Sequence, residues 1–208
     1  MKILIITDCH HLLPEEAEKL ADLEYDVCFL LGDISGKYID MLLMYLDKDK
    51  VYGILGNHDE FGVLEARNIP NIHCKLIEIN GTSFLGFEGS NRYKRGEFPM
   101  FTQKEARKLL MKCPKADILL SHDSPYKLYS DGKDLEHCGL KAISKYIKKY
   151  KPIFNIHGHQ HINSKKTLKN ETNVICVYRA SIIDTETKDI TCLLYTSPSP
   201  RDSTASRM

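Results

Sequence analysis

The sequence predicts an α/β fold in which two packed β-sheets carry helices on their outer faces. Five short, β-branched runs, "KILIITD", "DVCFLLGD", "KVYGILGNHD", "ADILLSHD" and "PIFNIHGH", each end in polar residues, the pattern of buried strands. Helical patterns lie between them, and strands alternating with helices imply largely parallel pairing. Two stretches break that alternation, and a second sheet accommodates them.

Taken in chain order, the first strand is followed by a helical stretch from Pro14 to Glu24. After the second strand, a helix is expected over Lys37 to Asp47, where Ile39, Leu42, Leu43 and Leu46 recur at i, i+3, i+4 and i+7. The first interruption, "KLIEINGTSFLGFEG", reads as a hairpin turning at Asn80-Gly81, a pair suited to the positive φ angles of a tight turn. A third helix opens at Thr102, which has capping-box spacing to Glu105, and Ala106, Leu109 and Leu110 follow on one face. A fourth runs from about Leu140 to Tyr150; its Lys141, Lys145, Lys148 and Lys149 share a solvent face. The second interruption, from about Ser164 to Ile190, reads as two or three further strands. The last stretch, "LLYTSPSPRDSTASRM", has no apolar period, so the expected division is a domain over 1–191 and a disordered or non-native tail over 192–208.

At 208 residues the chain is long enough for one domain with a sizeable core. Its 29 Lys and Arg against 28 Asp and Glu leave no global field to recruit nucleic acid or an anionic membrane, so neither is an expected partner. The seven cysteines are odd in number, scattered and never in CxxC spacing, which argues against a disulfide framework and a zinc finger and for a reducing cytoplasm. The run "ILII" is short of a signal peptide's apolar region and far short of a membrane span.

The strand ends carry the chemistry: Asp8 and His10, then Asp33, then Asn57, His58 and Asp59, then His122, then His159 and His161. In α/β sheets ligands bind beyond the carboxyl ends of the strands, so these residues are expected to meet. Five of the nine histidines, with aspartates and an asparagine but no thiolate, suit Mn, Fe, Zn, Co or Ni rather than Ca or a structural zinc. In an extended segment His159 and His161 project to one side with α-carbons roughly 6–7 Å apart. That spacing suits one imidazole on each of two ions about 3.5–4 Å apart. Asp8 and His10 share the i, i+2 relation, with Cys9 turned into the core. Asp33, after a glycine, is the candidate to bridge, a role that calls for a carboxylate with two free oxygens.

The ordered blocks Asp-x-His, Gly-Asp, Gly-Asn-His-Asp, His and Gly-His-x-His, spanning Asp8 to His161, resemble the calcineurin-like metallophosphoesterase superfamily. The resemblance implies an αββα sandwich with a dinuclear site: Asp8, His10 and His161 at one ion, Asn57, His122 and His159 at the other, and Asp33 between them. The metals it implies are two divalent ions, Mn2+ first among the candidates. A hydroxide shared by the ions would attack phosphorus, His58 would protonate the leaving oxygen, and Asp59 would orient the His58 imidazole. Arg92, Lys94 and Arg95 of "SNRYKRGEF" are the candidates to meet substrate phosphate.

The resulting expectation is a dinuclear-metal-dependent phosphodiesterase for small or nucleotide-like phosphoesters, with the oligomeric state open. "LGDISGKY" lacks the Arg-Gly-Asp-x-x-Asp-Arg-Gly block of protein Ser/Thr phosphatases, which weighs against a protein substrate. The alternatives are a phosphomonoesterase or protein phosphatase, and a catalytically silent scaffold of the same fold. Such a scaffold is expected to lack ligands or the general acid, and this chain keeps both.

Overall fold

A computed structural model describes residues 1–194. The strands are β1 (Lys2–Thr7), β2 (Val27–Leu30), β3 (Val51–Gly53), β4 (Leu76–Ile79), β5 (Thr82–Phe87), β6 (Ser90–Asn91), β7 (Met100–Phe101), β8 (Ile118–Ser121), β9 (Phe154–His157), β10 (Ser164–Thr167), β11 (Asn173–Cys176), β12 (Arg179–Asp184) and β13 (Ile190–Cys192). The helices are α1 (Pro14–Glu18), α2 (Gly36–Leu42), α3 (Gln103–Leu110) and α4 (Lys141–Tyr150). One sheet has the order β13-β12-β1-β2-β3 and the other β10-β11-β9-β8-β5-β4, while β6 and β7 form a separate pair.

Alternation along the strands builds the layers. In β1, Ile3 and Ile5 face the second sheet, packing in one cluster with Phe29, Phe84, Leu120 and Ile156. Leu4 and Ile6 point the other way, against Ala17, Ile39 and Leu42 of α1 and α2. On the far side, Leu85 and Leu119 pack with Ala106 and Leu110 of α3 and Ile143, Tyr146 and Ile147 of α4. The order is helices, sheet, sheet, helices, the sandwich expected from the family resemblance. The pairs β1–β2–β3 and β5–β8–β9–β11 are parallel, and antiparallel strands close the sheets at β4, β10, β12 and β13.

The expected elements are present with some shortened. Helix α1 ends at Glu18 rather than Glu24, because the chain must turn so that Asp26 can meet Lys2 at the start of β2; the Lys2 N–H donates to the Asp26 carboxylate at 2.7 Å. Helix α2 stops at Leu42, and turns carry the buried Leu46 back to the core. Thr102 caps α3 as its spacing predicts, its Oγ1 accepting the Glu105 N–H at 3.2 Å. Asn80 and Gly81 take φ of 50° and 76° at the β4–β5 turn. The boundary expected after Thr191 falls inside β13: the Leu193 N–H donates to the Ala180 carbonyl at 2.9 Å, and Leu194 is buried against Ala180 and its neighbours. Apolar Leu193 and Leu194 have a face to cover after all. Residues 195–208 of the expected tail lie outside the described residues. No helix among the described residues is long and apolar enough to cross a membrane.

Candidate metal centre

Every block identified in the sequence sits just past the carboxyl end of a strand. β1, β2 and β3 of one sheet deliver Asp8 and His10, Asp33, and Asn57 with His58 and Asp59. β8 and β9 of the other deliver His122, and His159 with His161. Two glycines let these loops touch. A Cβ on Gly56 would lie 2.1 Å from Asp33 Oδ1, and one on Gly158 would lie 2.2 Å from Thr7 Oγ1 and 2.4 Å from Asp8 Oδ2. The second contact joins the sheets, and the Asp8 carboxylate fastens it: Oδ2 accepts from Thr7 Oγ1 and from the His159 N–H, each at 2.8 Å.

Two groups of donors result. Asp8, His10 and His161 bring one ligand atom each to within 4.8 Å of one another, and Asp33, His122 and His159 do the same. Asn57 joins the second group, its Oδ1 lying 3.0 Å from His122 Nε2. His122 Nε2 is also 3.4 Å from Asp33 Oδ2, and His161 Nε2 is 3.4 Å from Asp8 Oδ1.

The donor set fits divalent metal on three counts. His122 donates Nδ1–H to the Leu31 carbonyl at 2.7 Å, and His159 donates Nε2–H to the Glu136 carbonyl at 2.9 Å. Each bond holds its ring at one nitrogen, and on His122 the other, Nε2, is turned to the oxygens of Asn57 and Asp33, where a metal would take the place of its proton. Asp8 Oδ1 is buried with no hydrogen-bond partner, although His161 lies nearby. A buried carboxylate oxygen left unpaired is costly unless a cation meets it. Finally, burial opposes charge on His122, yet the carboxylates of Asp33 and Asp8 outweigh burial and raise its pKa to about 10. Carboxylates that hold a fully buried imidazole protonated to that pH favour positive charge between them. Burial likewise works against ionisation of Asp8 and Asp33, and the neighbouring imidazoles still hold both below the usual carboxylate range.

The geometry corrects three expectations. The segment holding His159 and His161 is not extended: both residues take left-handed φ, 66° and 52°, as do Asp8 at 53° and Asp33 at 55°. Non-glycine residues in that region cost on the order of 1 kcal/mol each and concentrate at functional sites. The chain bends at four donors to aim them. Asp33 does not offer two free oxygens either, because its Oδ1 accepts the His58 N–H at 2.8 Å; any bridging falls to Oδ2. Asp59 does not orient the His58 ring. Its carboxylate accepts the backbone N–H groups of Gly56, Asp33 and Ile34 at 2.7, 2.8 and 3.0 Å, which ties the Gly-Asp loop to the Gly-Asn-His-Asp loop. Burial, followed by the charge of Asp33, raises the Asp59 pKa to about 6.

His58 stands exposed beside the first group, its ring centroid 6.2 Å from that of His10. Arg92 turns away from the donors: its Nη2 donates to the Met100 carbonyl at 3.0 Å and lies 3.4 Å from the Glu105 carboxylate. Lys94 sits over the Phe98 ring, 4.2 Å from its centroid, and Arg95 is exposed. The residue of that loop brought to the site is Tyr93, whose hydroxyl accepts from Asn57 Nδ2 at 3.2 Å. Its place inside the basic run "NRYKR" is the signal that could have found Tyr93, and Lys94 Nζ lies 5.3 Å from its ring centroid. Tyr178, with its ring 5.3 Å from that of His161, lies in no motif and had no such signal.

The sequence profile of the calcineurin-like phosphoesterase family matches residues 1–163. Among curated proteins, none matches the sequence significantly. Among solved structures, TT1561 of Thermus thermophilus is similar with a TM-score of 0.63 at 16% identity, over 91% of this chain and 96% of that one. A dimetal phosphatase from Danio rerio aligns with a TM-score of 0.57 at 12% identity, over 88% and 91%. Vps29 of Entamoeba histolytica complexed with Zn2+ aligns with a TM-score of 0.50 at 12% identity, over 91% and 89%. At these identities the structures establish the shared fold, and the profile establishes the family. With the profile covering every donor block from Asp8 to His161, this chain belongs to the calcineurin-like phosphoesterase family, the metallophosphoesterases that hydrolyse phosphoesters at a site for two divalent metals.

Proposed function

We propose that this chain is a phosphodiesterase for small or nucleotide-like esters. Asp8, His10 and His161 would hold one divalent ion, Asn57, His122 and His159 the other, and Asp33 would serve both through Oδ2. The observation that carries this reading is the convergence of two donor groups, drawn from both sheets, with the His122 and His159 rings each anchored on a backbone carbonyl. Bound there, two divalent ions, Mn2+ first among Mn, Fe, Zn, Co and Ni, would activate water and offset charge on the phosphoryl oxygens. The chain's own residues do the rest. His58, exposed and with its backbone N–H anchored on Asp33, donates a proton to the leaving oxygen. Asp59 positions the loops that carry Asp33 and His58. Tyr93 fixes the Asn57 amide so that Oδ1 faces the donors.

Charge supports a diester over a monoester. Among the described residues, no lysine or arginine pairs with any of the seven donors, and Arg92 is committed elsewhere. A monoanionic diester makes the smaller demand on such a site. The test is Mn2+-dependent hydrolysis of bis(4-nitrophenyl) phosphate and 4-nitrophenyl phosphate by the purified chain. A higher kcat/KM for the diester is expected, and the reverse order overturns the diester assignment.

A further inference from the structure

A cleft of about 490 Å3 opens beside the donors, with His58, His10 and Asp33 at its inner end. That volume is within the range of small-molecule sites. Ile34, Phe61, Val63 and Ala66 give its walls an apolar side, and Ser35, Asp59 and Glu60 add polar groups. Phe61 is 61% exposed, a large ring left at the mouth of a cleft that begins at the proposed proton donor. The one arginine in the wall, Arg67, is paired with a carboxylate. Its Nε and Nη2 grip both carboxylate oxygens of Asp40 at 2.7 and 2.8 Å, and Nη1 donates to the Val63 carbonyl at 3.0 Å.

We infer that this cleft receives the leaving group, and that it selects a neutral alcohol carrying an aromatic ring that stacks on Phe61. The inference rests on the proposed hydrolase reading and deepens it. In the reaction a water oxygen bonds to phosphorus and releases its proton to solvent. The P–O bond to the alcohol breaks, and the departing oxygen keeps the bonding pair and takes the His58 proton. The leaving group must then lie on the His58 side, where the cleft begins. An anionic leaving group meets Glu60 and Asp59, and the one Lys or Arg in the cleft lining, Arg67, is already paired with Asp40, so phosphate-bearing or carboxylate-bearing alcohols are disfavoured. A ring gains stacking and burial against Phe61. A nucleoside is one alcohol of this kind.

Benzyl and ethyl esters test this, because their alcohols are nearly equal in acidity and differ in the ring, while 4-carboxybenzyl esters add a charge. With the Mn2+-loaded chain, kcat/KM is expected to favour benzyl over ethyl by about tenfold and benzyl over 4-carboxybenzyl by at least as much. Phe61→Ala should bring the benzyl-to-ethyl ratio close to one, and Phe61→Tyr should preserve it. Binding of benzylphosphonate, followed by calorimetry, should weaken about tenfold in Phe61→Ala and little in Phe61→Tyr. A benzyl-to-ethyl ratio that is the same in wild type and Phe61→Ala overturns the cleft assignment while leaving the hydrolase reading intact. If no ester of either kind is cleaved by the loaded wild type, the hydrolase reading itself fails.

Discussion

His58 is the side chain whose role is most open to a clean test. It adjoins Asn57, its backbone N–H is spent on Asp33, and its ring is exposed at the cleft. General-acid help is worth roughly 10²–10⁴ in rate for a basic leaving group and little for a nitrophenolate. His58→Ala is expected to keep two metals and to lose far more activity on alkyl diesters than on nitrophenyl diesters; equal losses would remove the acid role, and metal loss would make it structural. Asp33→Asn is expected to lose more metal than Asp8→Asn, because in the proposed site Asp33 would serve both ions and Asp8 one. Metal analysis of the two variants decides it, and an Asp33 variant that keeps two ions while the Asp8 variant loses both would sink the bridging role. The donors themselves were legible because histidines and aspartates recur at strand ends, where packing has no use for them. The work of Asp59 was not, since an acid beside a histidine suggests a side-chain pair and nothing in the letters shows that three backbone N–H groups claim it first.

Strands and helices were legible wherever one face had to be apolar. β1 alternates Ile3 and Ile5 against Leu4 and Ile6, and Thr102 announces α3. Helix ends were harder to place, since α1 and α2 stop where the chain must return to a strand rather than where propensity fails. The late strands were foreseen as a group, but β13 was cut short because the polar run behind it dominates the composition. Leu194, 3% exposed, corrects that reading. Leu194→Ala is expected to cost about 2–4 kcal/mol in denaturant unfolding. Truncation after Thr191 should lower the melting temperature by several degrees. An unchanged melting temperature would return the domain boundary to Thr191.

Taken together, the two sheets meet along an apolar interface and are joined again at the donors, where Asp8 and Asp33 come from one and His122, His159 and His161 from the other. Metal bound by these donors would therefore link the halves of the sandwich. An ion held at a hundred times its dissociation constant adds about 2.7 kcal/mol of stability, equivalent to roughly 5–10 °C in a domain of this size. Mn2+ should raise the melting temperature of the chelator-treated chain by at least about 5 °C, and Asp33→Asn should show a smaller rise; a melting temperature indifferent to metal would mean that the sheets do not share the ions. The placement of β1 has a further consequence, for synthesis. It is made long before β12, yet it lies between β2 and β12, and its register with β12 runs from Lys2 opposite Asp184 to Thr7 opposite Arg179. At about 5–20 residues per second, a ribosome needs roughly ten to thirty seconds to supply that second neighbour. For that interval the nascent chain carries an apolar strand with one edge bare, and it is then open to pairing with other chains and to capture by chaperones.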